Sequence, residues 1–454
     1  MANQNTSKTL KQTSSTMSHQ EKTELQELRA FVSKHTDLEV MQHFSNKPLP
    51  EAPRILNDAV AVFPDLEWFD NRQMLKAPQK ITEVGYTVLP LIALQHCKSP
   101  EDFPALIKKA AVYHIRVLEN CHIRNKAEAF KDAEKNSLFC PTRFVAEAEA
   151  KRIFANTLNT QTMKNGRRAP VIVVGQGWNH DVTMLKNEWQ FNINKLDGVV
   201  HTIKSLGTLA QQAGIIPKPD KSLGQKLPKF DELLAGFGVQ IEGLWRHNGA
   251  NDAVYQMTVA LLVSFYSILY PGPNTGYGID ATLAGSTIKG IWNGYAEANK
   301  QLPPPTWGYA QFCHYCETPE EHDAAECPLR STDAVHCKLC ANAIGKKNKK
   351  YRDRASDHQT GRCLLQYNHH TRSFPPWFLN LNPSFEDQRD LSRASAVKDF
   401  ETIGRIMYQH FFLPGCIGRE EIEDHEKRMK AEDNMYSEDE DEGQEVDEDG
   451  FNEK

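Results

Sequence analysis

The order of hydrophobic and polar positions between residues 53 and 270 predicts a mixed α/β domain. Short runs of apolar and β-branched residues are typical of strands, whereas apolar residues spaced three and four apart are typical of helices. The run at 170–174 is apolar throughout, as in a central strand covered on both faces. The predicted strands are 59–63, 82–92, 112–118, 170–174 and 199–203, and the predicted helices are 100–111, 143–158, 182–191, 230–237 and 253–268.

Outside this domain the pattern weakens or changes. Helical spacing over 21–52 predicts an accessory helical segment, and the Gly- and Pro-rich stretch 271–310 is typical of a linker. Cysteine is concentrated in 311–372. The remaining predicted regions are a disordered N-terminus at 1–20, a C-terminal helical segment at 373–418 and an acidic disordered tail at 419–454.

The acidic tail conceals the charge of the rest of the chain. The formal net charge is −6, but Glu432–Lys454 holds twelve acidic residues and one basic residue, which leaves the body at about +5. An acidic tail on a mildly basic body is typical of proteins that handle nucleic acid, and such a tail can also bind a protein partner. A solvated tail with no such role fits equally well.

Neither a signal peptide nor a membrane span is visible in the sequence. The polar N-terminal stretch lacks an apolar core, and no apolar run is long enough to cross a bilayer. We therefore expect an intracellular protein, nuclear or cytoplasmic, that is not secreted and does not bind membranes.

Four acidic residues and a histidine occur in three motifs of the α/β domain. Asp65 and Glu67 follow a predicted strand, Asp181 begins a predicted helix, and His247 and Asp252 precede the last one. Carboxylates are the ligands that Mg²⁺ and Mn²⁺ favour, and two such ions can hold both oxygens of an in-line displacement at phosphorus. Alone, each motif could equally be a solvated pair, a helix cap or a capped turn.

Together these residues resemble the DEDDh-type 3′–5′ exonucleases of the ribonuclease H-like superfamily. Residues 82–85 (Thr-Glu-Val-Gly) are similar to the start of that family's second strand, 175–181 to its second motif and 247–252 to its third. The closest similarity is to a fungal branch with "D-x-E-W" in the first motif and "HNAGNDA" in the third. The resemblance implies a ribonuclease H-like mixed central sheet flanked by helices over 53–270. It also implies four metal ligands and a histidine base: Asp65, Glu67, Asp181 and Asp252, with His247.

Two classes of function remain open at this point. The leading hypothesis is a two-metal-ion 3′–5′ exonuclease, with Mg²⁺ or Mn²⁺, acting on RNA or single-stranded DNA. The alternative is a catalytically inactive exonuclease fold that binds nucleic acid or acts as an adaptor, and a zinc-mediated protein-interaction module is a third. The intact carboxylate set favours the enzyme, whereas Pro64 and the short spacing from Asn179 to Asp181 favour the adaptor.

Six of the ten cysteines fall within 313–363, which indicates metal binding. Three thiolates and one imidazole make a closed tetrahedral zinc set, and this segment has little apolar content with which to fold alone. We therefore predict one or two structural Zn²⁺ ions in two CCHC modules, although a cross-braced pairing would also satisfy the spacing. The two predicted ligand sets are Cys313, Cys316, His322 and Cys327, and Cys337, Cys340, His358 and Cys363.

A basic stretch with one aromatic residue lies inside the second cysteine set. Basic side chains that alternate with aromatic ones suit contact with a nucleic-acid backbone and stacking on single strands. We predict that the zinc modules bind nucleic acid, although a nuclear import signal or a solvated loop would also account for the same residues. The predicted contacts are Lys346, Lys347, Lys349, Lys350, Tyr351, Arg352 and Arg354.

Overall fold

The computed structural model describes most of the chain up to residue 341. The predicted acidic tail, the C-terminal helical segment, the basic stretch 346–354, and His358 and Cys363 of the second cysteine set lie outside the described residues. In the described part, no helix has the length and apolar character needed to cross a bilayer. The described ranges are 18–45, 47–69, 80–121, 123, 133–159, 167–220, 222, 225–240, 244–272, 277–278, 282–283, 285–319, 322, 324–330, 332, 335–341 and 355–356.

A six-stranded mixed sheet, in the order β4-β3-β2-β1-β5-β6, is the centre of the fold. Strands β1, β2 and β3 are antiparallel neighbours, β5 and β6 run parallel to β1, and β4 runs parallel to β3. This arrangement confirms the predicted ribonuclease H-like class. The strands are β1 (Val60–Phe69), β2 (Lys80–Pro90), β3 (Ala111–Val117), β4 (Thr142–Val145), β5 (Val171–Val174) and β6 (Val199–Ile203).

Helices cover both faces of this sheet. Side chains alternate along β1, so that Ala61 and Phe63 join the core on one face, and Val60 and Val62 join the core on the other. The helices are α1 (His19–Val32), α2 (Asp37–Gln42), α3 (Phe103–Ile107), α4 (Glu147–Asn159), α5 (Asn179–Glu188), α6 (Leu206–Gln212), α7 (Phe230–Gly236), α8 (Gly249–Ser264), α9 (Tyr266–Leu269), α10 (Ile288–Lys300) and α11 (Lys338–Ala341).

Helix α8 is buried along its whole length and packs across β1 and β2. Its N-cap is Asn248, whose side chain accepts the N–H of Asn251. The first turn lies directly on β2, because a Cβ atom built at Gly85 would sit 1.8 Å from the carbonyl carbon of Gly249. A side chain at residue 85 would therefore push the start of α8 away from the sheet.

Two predicted elements differ from the observed ones near the site. Strand β1 continues to Phe69 instead of ending at 63, so Asp65 and Glu67 lie within the strand. The predicted helix 143–158 begins at Glu147, because the preceding Thr-Arg-Phe-Val segment forms the edge strand β4. The β-branched and aromatic residues of this segment favour a strand, which pairs with the edge of β3.

The stretch 271–310, predicted to be a linker, contains the four-turn helix α10 and the short strands β7 (Thr282–Leu283) and β8 (Ser286–Thr287). The apolar face of α10 is buried in the same core as α8. The indole N–H of Trp292 donates to Thr258 Oγ1 (2.9 Å), and the hydroxyl of Tyr295 donates to the carbonyl of Ala110 (2.8 Å). The prediction was wrong because the Gly and Pro residues on either side of α10 masked its helical periodicity.

Helices α1 and α2 belong to the main core rather than standing apart from it. Leu25, Leu28 and Val32 of α1 are buried, and the helix begins at His19, inside the predicted disordered stretch 1–20. The guanidinium of Arg29 donates to the carbonyl of Val199 at the start of the edge strand β6 (2.8 Å). The accessory segment therefore anchors that edge of the sheet.

Candidate active site

The first motif lies where β1 leaves its parallel neighbour. The N–H groups of Val60 and Leu66 point away from β2, toward the side of β5, and Pro64 shares their orientation by the alternation of the strand. An N–H at residue 64 would point toward β5, but β1 pairs with β5 only as far as Val62. The missing N–H of Pro64 therefore removes no hydrogen bond from the ladder with β2. Pro64 is thus compatible with an intact first motif.

The second motif enters the space beside the diverging strand. Asp181 lies in the first turn of α5, which follows β5 and a turn with Gly177 at φ +68°. Its Oδ1 accepts the backbone N–H of Leu66 at 3.0 Å. The buried Asp181 carboxylate is therefore fixed to the residue between Asp65 and Glu67.

The third motif brings a histidine and a carboxylate to the same place. His247 has a left-handed backbone (φ +60°), and its N–H donates to Asp252 Oδ2 at 2.9 Å. Its ring Nδ1 lies 3.8 Å from Glu67 Oε1, while its side chain is 59% exposed. Ligand atoms of Glu67, His247 and Asp252 all lie within 4.8 Å of one another. The three predicted motifs therefore converge on one site.

The electrostatics of this site are those of crowded, buried carboxylates. Burial raises the pKa of Asp65, and repulsion by Asp252 and Asp181 raises it further. Burial likewise raises the pKa of Glu67 and of Asp252, and it raises the pKa of Asp181 to about 7. Such a cluster is costly to ionise without a compensating cation, and its oxygen donors are those that Mg²⁺ and Mn²⁺ prefer. The four carboxylates thus fit one or two divalent ions.

Arg246 already supplies one positive charge at the edge of the site. Its Nε donates to Asp252 Oδ1 (2.7 Å), and its Nη1 forms an ion pair with Asp231 of α7. The guanidinium also lies over the ring of Phe230, 4.8 Å from the centroid. Desolvation lowers the pKa of the neighbouring His247 ring, whereas Asp252 acts in the opposite direction.

Two glutamines missing from the predicted site support Asp65, one directly and the other through the first. The buried side chain of Gln256, one turn along α8 from Asp252, donates to Asp65 Oδ1 at 2.7 Å. Its Oε1 accepts the N–H of Gln176, whose own Oε1 accepts the N–H of Leu206. The spacing from Asp252 to Gln256 places both on one helix face, but it does not by itself reveal which residue Gln256 would contact.

A buried ionic network lies next to the first motif on β2 and β3. Glu83 on β2 lies opposite Glu67 on β1 in the strand register. Its carboxylate accepts hydrogen bonds from Arg116 (2.9 Å) and His114 (3.0 Å). Burial alone would raise the pKa of Glu83, but Arg116 and His114 hold it below its usual range. The N–H of Gly249 also reaches Glu83 (3.4 Å). The network therefore ties the start of α8 to the sheet.

The structure brings the four residues of the first cysteine set close together. The ligand atoms of Cys313, Cys316, His322 and Cys327 lie within 4.8 Å of one another. Strands β9 (Phe312–Cys313) and β10 (Thr318–Pro319) form a small hairpin whose turn has Glu317 at φ +61°. A thiolate-rich set with one imidazole suits a tetrahedral zinc ion.

The second cysteine set is described only in its first half. Cys337 and Cys340 are buried at the start of α11, and the N–H of Cys340 points to the sulfur of Cys337 (3.4 Å). His358 and Cys363 lie outside the described residues, as do the seven predicted nucleic-acid contacts between 346 and 354. The second zinc site and the basic stretch thus remain predictions.

The sheet order, the converging carboxylates and the adjacent histidine are consistent with the DEDDh exonuclease type. Residues 61–263 match the family model DEDDh_C, described as "DNA polymerase III subunit epsilon-like, C-terminal domain". The matched range includes all five residues of the three motifs. The match supports a nuclease of the exonuclease type. Members of that family use divalent metals and act on nucleic acid. No curated protein is significantly similar to the chain in sequence.

Proposed function

We propose that the chain is a divalent-metal-dependent 3′–5′ exonuclease that acts on RNA or single-stranded DNA. One observation carries the proposal: Glu67, His247 and Asp252 have ligand atoms within 4.8 Å of one another, beside Asp65 and Asp181. Three motifs that are far apart in the sequence thus meet at a single cluster of carboxylates with one accessible imidazole.

Each residue has a distinct role in this proposal. Asp65, Glu67, Asp181 and Asp252 would hold two Mg²⁺ or Mn²⁺ ions, which when bound supply an activated water and neutralise charge on the scissile phosphate. His247 would accept the proton of the attacking water, because its ring is exposed and 3.8 Å from Glu67. Gln256 orients Asp65, and Arg246 orients Asp252.

The cysteine sets would hold one or two structural zinc ions and, with the basic stretch 346–354, would bind the nucleic acid. Thiolate and imidazole donors in the first set support the first ion. In this proposal the exonuclease domain spans residues 53–270 together with α10, and the zinc modules occupy 311–372. The acidic tail would bind a protein partner or compete with the substrate.

A second candidate is an inactive relative that binds nucleic acid or acts as an adaptor. The bond from Arg246 to Asp252 Oδ1 favours it, since a guanidinium pairs with an oxygen that a metal ion would otherwise use. The exonuclease remains the better supported proposal, because the carboxylate set is complete and Pro64 leaves β1 intact.

The two candidates are separated by incubating the purified chain with 5′-labelled single-stranded RNA or DNA and Mn²⁺ or Mg²⁺. We expect a ladder of products shortened from the 3′ end that disappears in Asp65→Ala and on chelation. Binding of the oligonucleotides with no shortening by the wild-type chain would instead establish the adaptor.

A further inference from the structure

Two exposed apolar side chains stand out at the edge of the candidate site. Among the tryptophans that the structure describes, Trp245 is the most exposed, at 41%. Trp178, Trp189 and Trp292 by contrast are almost completely buried. Leu138 is 38% exposed. Single exposed apolar residues are common on protein surfaces, so the placement of these two decides whether they matter.

One buried amide holds both residues. The side chain of Asn251 is fully buried; its Oδ1 accepts the N–H of Leu138 (2.9 Å), and its Nδ2 donates to the carbonyl of Trp245 (3.0 Å). The neighbouring Asn248 donates to the carbonyl of Ala133 (2.8 Å). The asparagines of the third motif thus fasten the loop 133–138 to the segment 244–247.

This pair lies beside the carboxylates. Asn251 directly precedes Asp252, and Trp245 is two residues before His247, so the Cα atoms of Trp245 and His247 are at most about 7 Å apart. The backbone of that segment is fixed, because the His247 N–H bonds to Asp252 and Arg246 bonds to Asp252 and Asp231. Trp245 and the loop that Asn251 holds to it therefore have a fixed backbone position next to Asp252.

We propose that Leu138 and Trp245 form an apolar rim that stacks an unpaired base at the 3′ end of the strand being shortened. The inference rests on the proposed function. An indole face stacks on any base, so such a rim selects single-stranded ends without reading their sequence. Asn251 acts as a positioning residue, since it reaches the strand only through the two residues that it holds.

The test compares a single-stranded oligonucleotide with the same oligonucleotide whose 3′-terminal nucleotide is abasic. Binding is measured with Mn²⁺ in an Asp65→Asn background, which keeps the strand intact. We expect Trp245→Ala to weaken binding of the intact strand by about 5- to 150-fold and to abolish the preference over the abasic strand. Trp245→Phe should retain most of the preference, and Leu138→Ala should reduce it by less.

Ile92→Ala is the matched control. Ile92 is 45% exposed and lies two residues after Pro90, which pairs with Val60 at the other end of β1, so its loss should leave both affinities unchanged. Equal binding of intact and abasic strands by the parent, or unchanged binding by Trp245→Ala, would overturn the apolar rim. Either result would leave the exonuclease standing if the wild-type chain still shortens strands. A wild-type chain that preferred the intact end but never shortened it would refute catalysis while supporting the rim.

Discussion

The carboxylate site and the first cysteine set are both clusters of potential metal ligands, but they are supported in opposite ways. Asp65, Glu67, Asp181 and Asp252 project from strands and helices that share two extensive hydrophobic cores. The cysteine set stands on a hairpin of two-residue strands and on loops. The first site is built by the fold, whereas the described residues of the second belong to neither of these two cores.

This difference implies that the two kinds of metal ion would have different roles. At the carboxylate site the folded framework brings like charges together, so a cation would relieve repulsion and serve chemistry. At the cysteine set a zinc ion would itself supply the folding free energy of the local structure, on the order of 10–16 kcal/mol. Loss of metal should therefore leave the first site standing and unfold the second.

The largest expected effect is at the cysteine set. Cys316→Ser removes a ligand whose sulfur lies 3.3 Å from His322 Nε2, so we expect the chain to lose one bound zinc and the stretch 312–330 to become open to proteolysis. Metal analysis and limited proteolysis measure both. Cys140→Ser, outside the set, should change neither. Full zinc content in Cys316→Ser would contradict the assignment.

The next effect is at the carboxylate site, where one residue should affect chemistry without affecting stability. His247→Gln should lower kcat for strand shortening by about 10²- to 10⁴-fold, because it removes the group that takes the proton from water. The melting temperature should hardly change, since the ring is largely exposed. His96→Gln, an exposed histidine outside the three motifs, should keep full activity. A His247 variant with wild-type kcat would remove this residue from the mechanism.

The sequence predicted the central sheet better than it predicted the contacts that support the carboxylate cluster. Strand-like runs were enough to foresee the central sheet, because periodicity is a local property, whereas the roles of the five motif residues were implied by the resemblance and stay predictions. Gln256, Gln176 and Arg246 were missed, because each acts through a contact between elements far apart in the chain. Helix α10 was missed for a local reason, the Gly and Pro residues that flank it.

The packing that supports the carboxylate site can be broken without touching a ligand. Gly85→Ala would place a Cβ 1.8 Å from the backbone of Gly249, so we expect a loss of about 1–3 kcal/mol in the free energy of unfolding, with reduced activity as Asp252 is displaced. Gly294→Ala is the matched control, since its Cβ meets nothing within 4 Å in the middle of α10. It should stabilise the protein by up to about 1 kcal/mol. Equal melting temperatures for the two variants would contradict the close contact of α8 with β2.

The smallest effect is the pH dependence of stability in the metal-free protein. Burial raises the pKa of Asp181 to about 7, so between about pH 4 and 7 the folded chain holds a proton that the unfolded chain releases. Stability should therefore fall as the pH rises through this range. With EDTA present, we expect Asp181→Asn to raise the melting temperature at pH 8 by about 2–4 °C and to flatten the dependence.

Added metal should reduce this pH dependence of stability. Because Mn²⁺ would compensate the charge that the proton otherwise removes, its addition should stabilise the wild-type chain more at pH 8 than at pH 5. Asp58→Asn, an exposed carboxylate outside the site, serves as the control and should follow the wild-type curve. Metal-free stability that rises from pH 5 to 8 would show that the four carboxylates are not held in mutual repulsion. The contrast with the cysteine set would then lose its physical basis.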